Sequence, residues 1–269
     1  MTHFPMRSRM ITLGFALAWT AETALAEDDQ TTPPWSMADQ YYGEEAMAKS
    51  RNAVLAANGA QPHAMIMADR FELQSSDQED TLLWDANFWY GGDINKVWIK
   101  TEGDYSLDED AVEEAEIQAL WSRAISPYFD LQAGLRYDFD PKGRTHAVIG
   151  VQGLAPYWFE VDAAGFISTQ GDVTARIESE YELLLTQRLI LQPRAELELS
   201  AQDILKLEIG SGLTSLDAGL RLRYETVREF APYIGVEWQG HFGDTKDMIK
   251  AAGGETDRTI FIIGIRAWY

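Results

Sequence analysis

The sequence predicts an all-β protein, a transmembrane antiparallel β-barrel of about twelve strands. From Phe129 to the end of the chain, apolar and polar side chains alternate in run after run, and the last run ends on Trp268 and Tyr269. In that run Thr259, Phe261, Ile263, Ile265, Ala267 and Tyr269 share one face, and Arg258, Gly264 and Arg266 share the other. A period of two indicates strands whose two faces lie in different environments. A terminal aromatic strand is typical of bacterial outer-membrane barrels.

Before the barrel, the sequence predicts two further regions. Arg7 and Arg9 precede an apolar stretch over 10–21, and Ala24-Leu25-Ala26 fits a cleavage site, so residues 1–26 read as a signal peptide. Residues 27–62 form a largely unstructured N-terminal segment that begins polar and proline-bearing. A short helix over 44–57 is compatible with its composition. The barrel then covers residues 63–269.

Composition limits the classes of protein and partner. The chain has no cysteine, which excludes a disulfide framework and thiolate metal sites. No apolar run after the signal peptide is long enough for a membrane helix, so a membrane location requires a closed barrel. A net charge of −21 argues against nucleic acid as a partner and favours small cations.

Twelve segments have the pattern of strands. They cover residues 64–74, 81–90, 94–102, 114–125, 129–139, 144–154, 157–167, 173–185, 188–199, 213–225, 230–242 and 258–269. Every second link between them is short, whereas the three longest links, 103–113, 200–212 and 243–257, fall on the other side. This asymmetry matches outer-membrane barrels, which have short periplasmic turns and longer outer loops.

Basic residues distinguish a membrane barrel from a soluble one. From residue 129 onward the lysines are Lys142, Lys206, Lys246 and Lys250, all in predicted loops, and the polar strand faces carry arginine instead. Arginine can pair with carboxylates through two parallel hydrogen bonds, which suits a confined lumen. We therefore expect Asp130, Glu160, Asp162, Glu178, Glu180 and Glu182 to face Arg136, Arg176, Arg194, Arg221 and Arg223 inside the barrel. Most would form structural ion pairs and a minority would line a cation path.

Catalysis has little support. Past the signal peptide the histidines are His63, His146 and His241, and neither a G-x-S-x-G nor an H-E-x-x-H motif occurs. The sequence therefore predicts a protein that is not an enzyme. The alternative is a lipid hydrolase whose serine and histidine come together only in space.

One short motif suggests a metal. His63, Met65 and Met67 follow one another at a spacing of two, which puts an imidazole and two thioethers on one side of a strand. Such soft ligands suit copper, especially Cu(I). The alternative is that both methionines are lipid-facing apolar residues, because the same face continues into Phe71 and Leu73.

An acidic stretch is a second cation feature. It comprises Glu102, Asp104, Asp108, Glu109, Asp110, Glu113, Glu114 and Glu116, with no basic residue between them. On the predicted outer loop and its flanking strands it would concentrate cations. The alternative is a solvated loop beside the divalent ions of lipopolysaccharide.

Several long stretches resemble the copper resistance protein B family of outer-membrane barrels. They are residues 84–95, 122–127 (SRAISP), 129–138 (FDLQAGLRYD), 150–160 (GVQGLAPYWFE), 186–194, 219–225 and 228–236. The resemblance covers the chain from about residue 65 to its end. It implies a protein of the Gram-negative outer membrane that binds or exports copper ions, which would be bound or transported and not catalytic. It also implies contact with outer-membrane lipid and lipopolysaccharide, and with periplasmic copper-handling proteins.

The chain departs from the family pattern before the barrel. Family members typically carry a Met- and His-rich segment there, whereas residues 27–62 contain only Met37 and Met47 and no histidine. His63, Met65 and Met67 are thus the candidate metal ligands near the barrel entrance. The alternative function is a small non-specific pore or structural barrel without metal preference.

Overall fold

A closed antiparallel barrel forms the main part of the protein. The computed structural model describes residues 34–59 and 61–269. The strands are β1 (His63–Ser75), β2 (Asp80–Gly91), β3 (Asn95–Ser106), β4 (Ala111–Ala124), β5 (Phe129–Asp140), β6 (Arg144–Ala155), β7 (Phe159–Ser168), β8 (Val173–Glu180), β9 (Leu183–Leu184), β10 (Leu189–Ser200), β11 (Gly212–Tyr224), β12 (Phe230–His241) and β13 (Asp257–Trp268). β8 and β9 both pair with β10 and form one barrel strand interrupted at Tyr181 and Glu182. β1 pairs with β13, which closes a ring of twelve strand positions and confirms the predicted fold.

The helices either precede the barrel strands in the chain or lie in links between them. They are η1 (Pro34–Ala38), α1 (Asp39–Tyr42), α2 (Glu44–Asn58), η2 (Pro156–Trp158) and α3 (Gly243–Ala252). The chain divides into two units, residues 1–54 and 55–269, and within the first Arg51 pairs with Asp39 at 2.6 Å. No helix in the described part of the chain is both long and apolar enough to cross a membrane.

Part of the N-terminal segment is helical. The helix that its composition allowed over 44–57 is present as α2, and residues 34–42 are helical as well, which the sequence did not predict. The predicted signal peptide and residues 27–33 lie outside the described residues.

The two ends of the barrel differ. At one end, here the proximal end, lie the start of β1, the end of β13 and five short links, 92–94, 125–128, 156–158, 185–188 and 225–229. The opposite, distal end carries the two longest links, 201–211 and 242–256, the second of which contains α3. The predicted asymmetry of the links is therefore confirmed, although α3 itself was not predicted.

The predicted long link over 103–113 is wrong. β3 extends to Ser106 and β4 begins at Ala111, so only residues 107–110 form the turn. Glu102 lies opposite Glu116, and Asp104 opposite Glu114, within the ladder of β3 and β4. The acidic stretch is thus mainly strand, and its lumenal Glu102 and Glu116 both pair with Arg176.

Apolar side chains are exposed and charged side chains are buried in the barrel, which is the opposite of their distribution in a soluble protein. Phe261 and Ile263 on its outer wall are each 67% exposed, whereas the lumenal Glu72 is 0% exposed and Arg221 2%. In a soluble protein large apolar side chains are mostly buried and charged ones exposed. An apolar outer wall around a polar interior is the arrangement of transmembrane barrels.

A β-bulge in β1 changes which side chains face the lumen. Ala68 lies opposite Ala86 but Arg70 opposite Asp85, so β1 carries one extra residue at this point. Beyond the bulge, Phe71 and Leu73 are exposed on the outer wall. A bulge shifts the alternation by one residue. The expectation that the two methionines before it share this face is therefore wrong.

A glycine makes room for the buried ring of Tyr233. Tyr233 on β12 lies directly opposite Gly264 on β13. A Cβ at Gly264 would lie 2.6 Å from the tyrosine ring, so only glycine lets the ring lie against the wall here. From that position the Tyr233 hydroxyl donates to Glu72 Oε1 at 2.8 Å.

Candidate metal site in the proximal cavity

A layer of ion pairs crosses the middle of the lumen. This central layer consists of Arg70, Glu72, Glu102, Glu116, Arg176, Glu178, Arg194, Glu196, Arg221 and Glu237. Arg70 on β1 pairs with Glu102 on β3, and Glu102 pairs at 3.0 Å with Arg176 on β8. Since β8 lies seven positions from β1 in a ring of twelve, this chain of contacts reaches the opposite wall.

Arginines in the central layer bind several carboxylates at once. Arg176 lies 3.3 Å from Glu116 and 3.2 Å from Glu196, in addition to its contact with Glu102. Arg221 holds Glu72 through two nitrogens, at 2.7 and 3.2 Å. Such bidentate, charge-assisted contacts fix both side chains in place. The lumen is therefore filled by charge pairs at this level.

The predicted lumenal pairs are present only in part. Arg194 pairs with Glu178 at 2.8 Å, and Arg223 with Glu182 at 2.5 Å, as expected. Arg136 instead binds Glu116 and Asp138. Asp130 and Asp162 pair with Lys96 and Lys100 of β3, and Glu160 has no ion pair within the described residues.

Proximal to the central layer the lumen opens into a cavity of about 470 Å³, called here the proximal cavity. Its wall includes Met65, Met67, Asp69, Asn87, Trp89, Lys96, Trp98, Lys100, Asp130, Glu160, Asp162, Glu180 and Arg266, and its inner end includes Glu102, Glu116, Arg176 and Glu178. Nine carboxylates line the cavity against four cationic side chains. This excess of negative charge in a walled space attracts cations.

The structure brings two of the three predicted ligands into this cavity. Because of the bulge, Met65 and Met67 face the lumen, where Met65 lies opposite Trp89 and Met67 opposite Asn87. Residues two apart on a strand are separated by about 6.6 Å, and flexible methionine side chains can converge over that distance. His63 begins β1 opposite Gly91; its side chain is exposed and does not line the cavity.

Arg266 on β13 contacts one of the two methionines. Its Nη2 lies 3.7 Å from Met67 Sδ. The same guanidinium holds Asp69 through Nε at 2.8 Å and Glu182 through Nη1 at 2.9 Å. Glu160 and Glu180 act on it electrostatically. The guanidinium of Arg266 therefore contacts oxygen and sulfur acceptors that lie beside Met65 and Met67.

An aromatic and cationic wall lies next to Met65. The rings of Trp89 and Trp98 have centroids 6.1 Å apart. Lys96 Nζ lies 5.6 Å from the centroid of Trp89, and Lys100 Nζ 5.9 Å from that of Trp98. Among the described residues, three that line the cavity have a buried polar atom without a hydrogen-bond partner: the Trp98 indole Nε1, Asn87 Oδ1 and Asp69 Oδ1. Asp69 Oδ1 lies within ion-pair distance of Arg266 but is not hydrogen-bonded to it.

Other candidate groups in the sequence give no comparable site. Among the residues that the structure describes, no group of three or more His, Asp or Glu side chains is arranged to hold a metal ion. His146 Nε2 lies 3.0 Å from Asp138, and Ser168 is its cross-strand neighbour. However, the Ser168 hydroxyl accepts the backbone N–H groups of Gln170 and Asp172, and so serves the turn that follows β7.

Comparison with known proteins gives the family. A family model described as copper resistance protein B precursor (CopB) matches residues 63–269, the whole barrel. The chain belongs to the copper resistance protein B family. The resemblance that the sequence suggested is thereby confirmed.

Two relatives in this family are similar over most of the chain. Copper resistance protein B of Escherichia coli is 46% identical over 206 residues, which are 76% of this chain and 69% of the relative. The copper resistance protein B homolog of Pseudomonas syringae pv. tomato is 39% identical over 208 residues, 77% of this chain and 70% of the relative. Among solved structures, the NanC porin has a TM-score of 0.49 and 10% identity, covering 76% of this chain and 99% of that chain.

Several cavity residues were not singled out from the sequence. Asp69, Asn87, Trp89 and Trp98 belong to this group, together with the role of Arg266 beside Met67. One signal was present: Lys96, Trp98, Lys100, Glu102 and Asp104 alternate along β3, which marks its lumenal face. The approach of β13 to β1 depends on barrel closure and has no local signal.

Proposed function

We propose that this chain is a copper resistance protein of the Gram-negative outer membrane that binds copper in the proximal cavity, as part of sequestering or exporting it. Family membership supports a role in copper resistance. The observation that carries the binding step is the orientation of Met65 and Met67, two thioethers side by side in an acidic cavity. Thioethers favour copper, whereas the carboxylates raise the local cation concentration.

In this proposal the three candidate ligands have different roles. Met65 and Met67 hold the ion inside the cavity, and His63 supplies an imidazole at the proximal rim. The position of His63 at the start of β1 suits a residue that passes an ion inward. The proximal end faces the periplasm, because that is the side of short turns in outer-membrane barrels.

A titration of the purified protein with Cu(I) tests the binding step. Cu(I) would be offered under reducing conditions from a chromogenic chelator, to wild type and to the triple variant His63→Ala/Met65→Leu/Met67→Leu. Met248→Leu, which changes a methionine of α3 at the distal end, is the matched control. We expect copper binding by wild type and Met248→Leu and its loss in the triple variant. Equal binding by all three proteins would contradict the assignment.

The competing function is a small pore without metal preference. The ion pairs that cross the lumen argue against it, because they place the side chains of Glu102 and Arg176 across the path of an ion. Conductance across planar bilayers distinguishes the two functions. Large conductance unaffected by copper, together with no copper binding, would favour the pore.

A further inference from the structure

The position of Arg266 bears on how tightly the cavity can hold copper, and any role for Arg266 there rests on the proposed function. The guanidinium of Arg266 contacts Asp69, Glu182 and Met67 at the same time. Two carboxylates and a thioether are together a set of metal-binding groups. In this structure these three groups contact the guanidinium of Arg266 and not a metal ion.

We infer that Arg266 is a tethered competitor of the metal ion and sets the copper affinity of the proximal cavity. Its Nη2 is directed at Met67 Sδ, the sulfur that copper would use. A copper ion between Met65 and Met67 would also lie within a few ångströms of the guanidinium charge. Binding therefore requires Arg266 to move away from Met67.

The cavity offers Arg266 a second place. Glu160 has no ion pair among the described residues, and Glu180 accepts only a hydrogen bond from Gln192. Both carboxylates belong to the wall of the same cavity, directly opposite each other on β7 and β8. A guanidinium displaced from Met67 can therefore pair with Glu160 or Glu180 without entering an apolar environment. Asp69 is then free to face the incoming ion, while Glu182 keeps its ion pair with Arg223.

Such a competitor keeps binding reversible. A cation-selective site made only of thioethers and free carboxylates would hold copper with nothing to replace it when the ion leaves. The guanidinium supplies that replacement, because it compensates the charge of Asp69 again as copper departs. The same exchange lowers the net affinity, since the ion has to displace an established ion pair.

Replacement of Arg266 by glutamine tests this role against a purely structural one. A structural role predicts weaker or unchanged binding, whereas a competitor predicts tighter binding. We expect Arg266→Gln to lower the Kd for Cu(I) by at least about fivefold, the effect of a unit charge about 4 Å away in a water-like medium. Arg258→Gln is the matched control, because Arg258 is a lumenal arginine of the same strand that does not line the cavity. Its Kd should match wild type.

Three further measurements test the competitor role and check the fold of the variants. Arg266→Lys keeps the charge, but an ammonium group cannot contact Asp69, Glu182 and Met67 at the same time as the guanidinium does. We therefore expect its Kd for Cu(I) to lie between the Kd of wild type and that of Arg266→Gln. Guanidinium chloride at non-denaturing concentration should weaken copper binding by Arg266→Gln more than sodium chloride of equal ionic strength does, because it refills the vacated position. Circular dichroism would confirm that all variants retain the barrel.

The outcomes separate this inference from the proposed function. If wild type binds Cu(I), the methionine variant does not, and Arg266→Gln binds no tighter, the competitor role is wrong and the copper site stands. Tighter binding by Arg258→Gln equal to that by Arg266→Gln would also overturn it, as a general charge effect. If Arg266→Gln binds copper and wild type binds none, the competitor role is supported in its strongest form. Absence of binding by every variant would overturn both proposals.

Discussion

The central layer and the proximal cavity are made of the same residue types but differ in how those residues are paired. In the central layer each arginine binds carboxylates at close range, and Glu72 is 0% exposed. In the cavity Glu160 has no ion pair among the described residues, and Arg266 is divided among three partners. Saturated pairing gives rigidity, whereas incomplete pairing leaves groups available to a ligand. We therefore expect substitutions in the central layer to affect stability most, and substitutions in the proximal cavity to affect the proposed copper binding most.

The largest effect should follow from removing Glu72. Its carboxylate accepts hydrogen bonds from Arg221, Tyr233 and Gln74, all inside the barrel. Glu72→Leu removes the carboxylate that holds the buried Arg221 through two nitrogens and leaves Glu237 as its carboxylate contact, which should lower the free energy of unfolding by about 3–5 kcal/mol. Urea unfolding of the protein in lipid vesicles, followed by tryptophan fluorescence, measures it. The double variant Glu72→Leu/Arg221→Met should recover much of the loss, and a double variant as unstable as the single one would contradict this account.

A smaller effect is expected from the hydroxyl of Tyr233. Tyr233→Phe keeps the ring over Gly264 but removes the hydrogen bond to Glu72. A hydrogen bond to a charged group contributes about 1.5–3 kcal/mol, so unfolding should become easier by that amount. Tyr224→Phe is the control, because Tyr224 is exposed on the outer wall. Equal losses in the two variants would show that Glu72 does not depend on the Tyr233 hydroxyl.

In the cavity, loss of an ion pair should matter less. Lys100 pairs with Asp162 while both side chains keep partial solvent contact, 19% and 31% exposed. Pairs of this kind contribute about 1 kcal/mol or less, so Lys100→Met should lower the unfolding free energy by no more than that. The same urea titration applies, with Lys246→Met of α3 as a control outside the barrel wall. A loss as large as that of Glu72→Leu would remove the distinction between layer and cavity.

The smallest effect is expected at Glu160. Because Glu160 has no ion pair to lose, Glu160→Gln should change the unfolding free energy by no more than about 0.5 kcal/mol. Copper titration of the same variant should nevertheless show weaker binding, since one carboxylate of the cavity is neutralised. If Glu160→Gln changed the unfolding free energy and left copper binding unchanged, Glu160 would be a structural residue and not part of the binding cavity's function.

Much of the fold could be predicted because the alternation of side chains is a local signal. In β5 the period of two alone fixes that Leu135 and Tyr137 face outward and Arg136 inward. The arginine-rich lumen was predictable for a similar reason, from the absence of lysine in strands after residue 129. The link over 103–113 was misjudged because an acidic run reads as solvated unless its distant basic partners, such as Arg70 and Arg176, are known.

The candidate site was harder to predict than the fold. His63, Met65 and Met67 were singled out by residue type, but their orientation depends on the bulge at Ala68 to Arg70, which has no sequence signature. Alternation counted back from Phe71 and Leu73 gave the wrong face for both methionines. Arg266 and Asp69 are far apart in sequence, so their contact follows only from the closed ring.

The pairing of β1 with β13 has a consequence for biogenesis. Ile66 and Tyr269 exchange backbone hydrogen bonds of 2.9 Å across this junction, and the methionine pair lies on one of its strands with Arg266 on the other. A nascent barrel whose first and last strands have not yet met therefore lacks the arrangement around Met67. Because the contact between Arg266 and Met67 forms only when β1 pairs with β13, the proposed copper site would acquire its competing guanidinium at barrel closure.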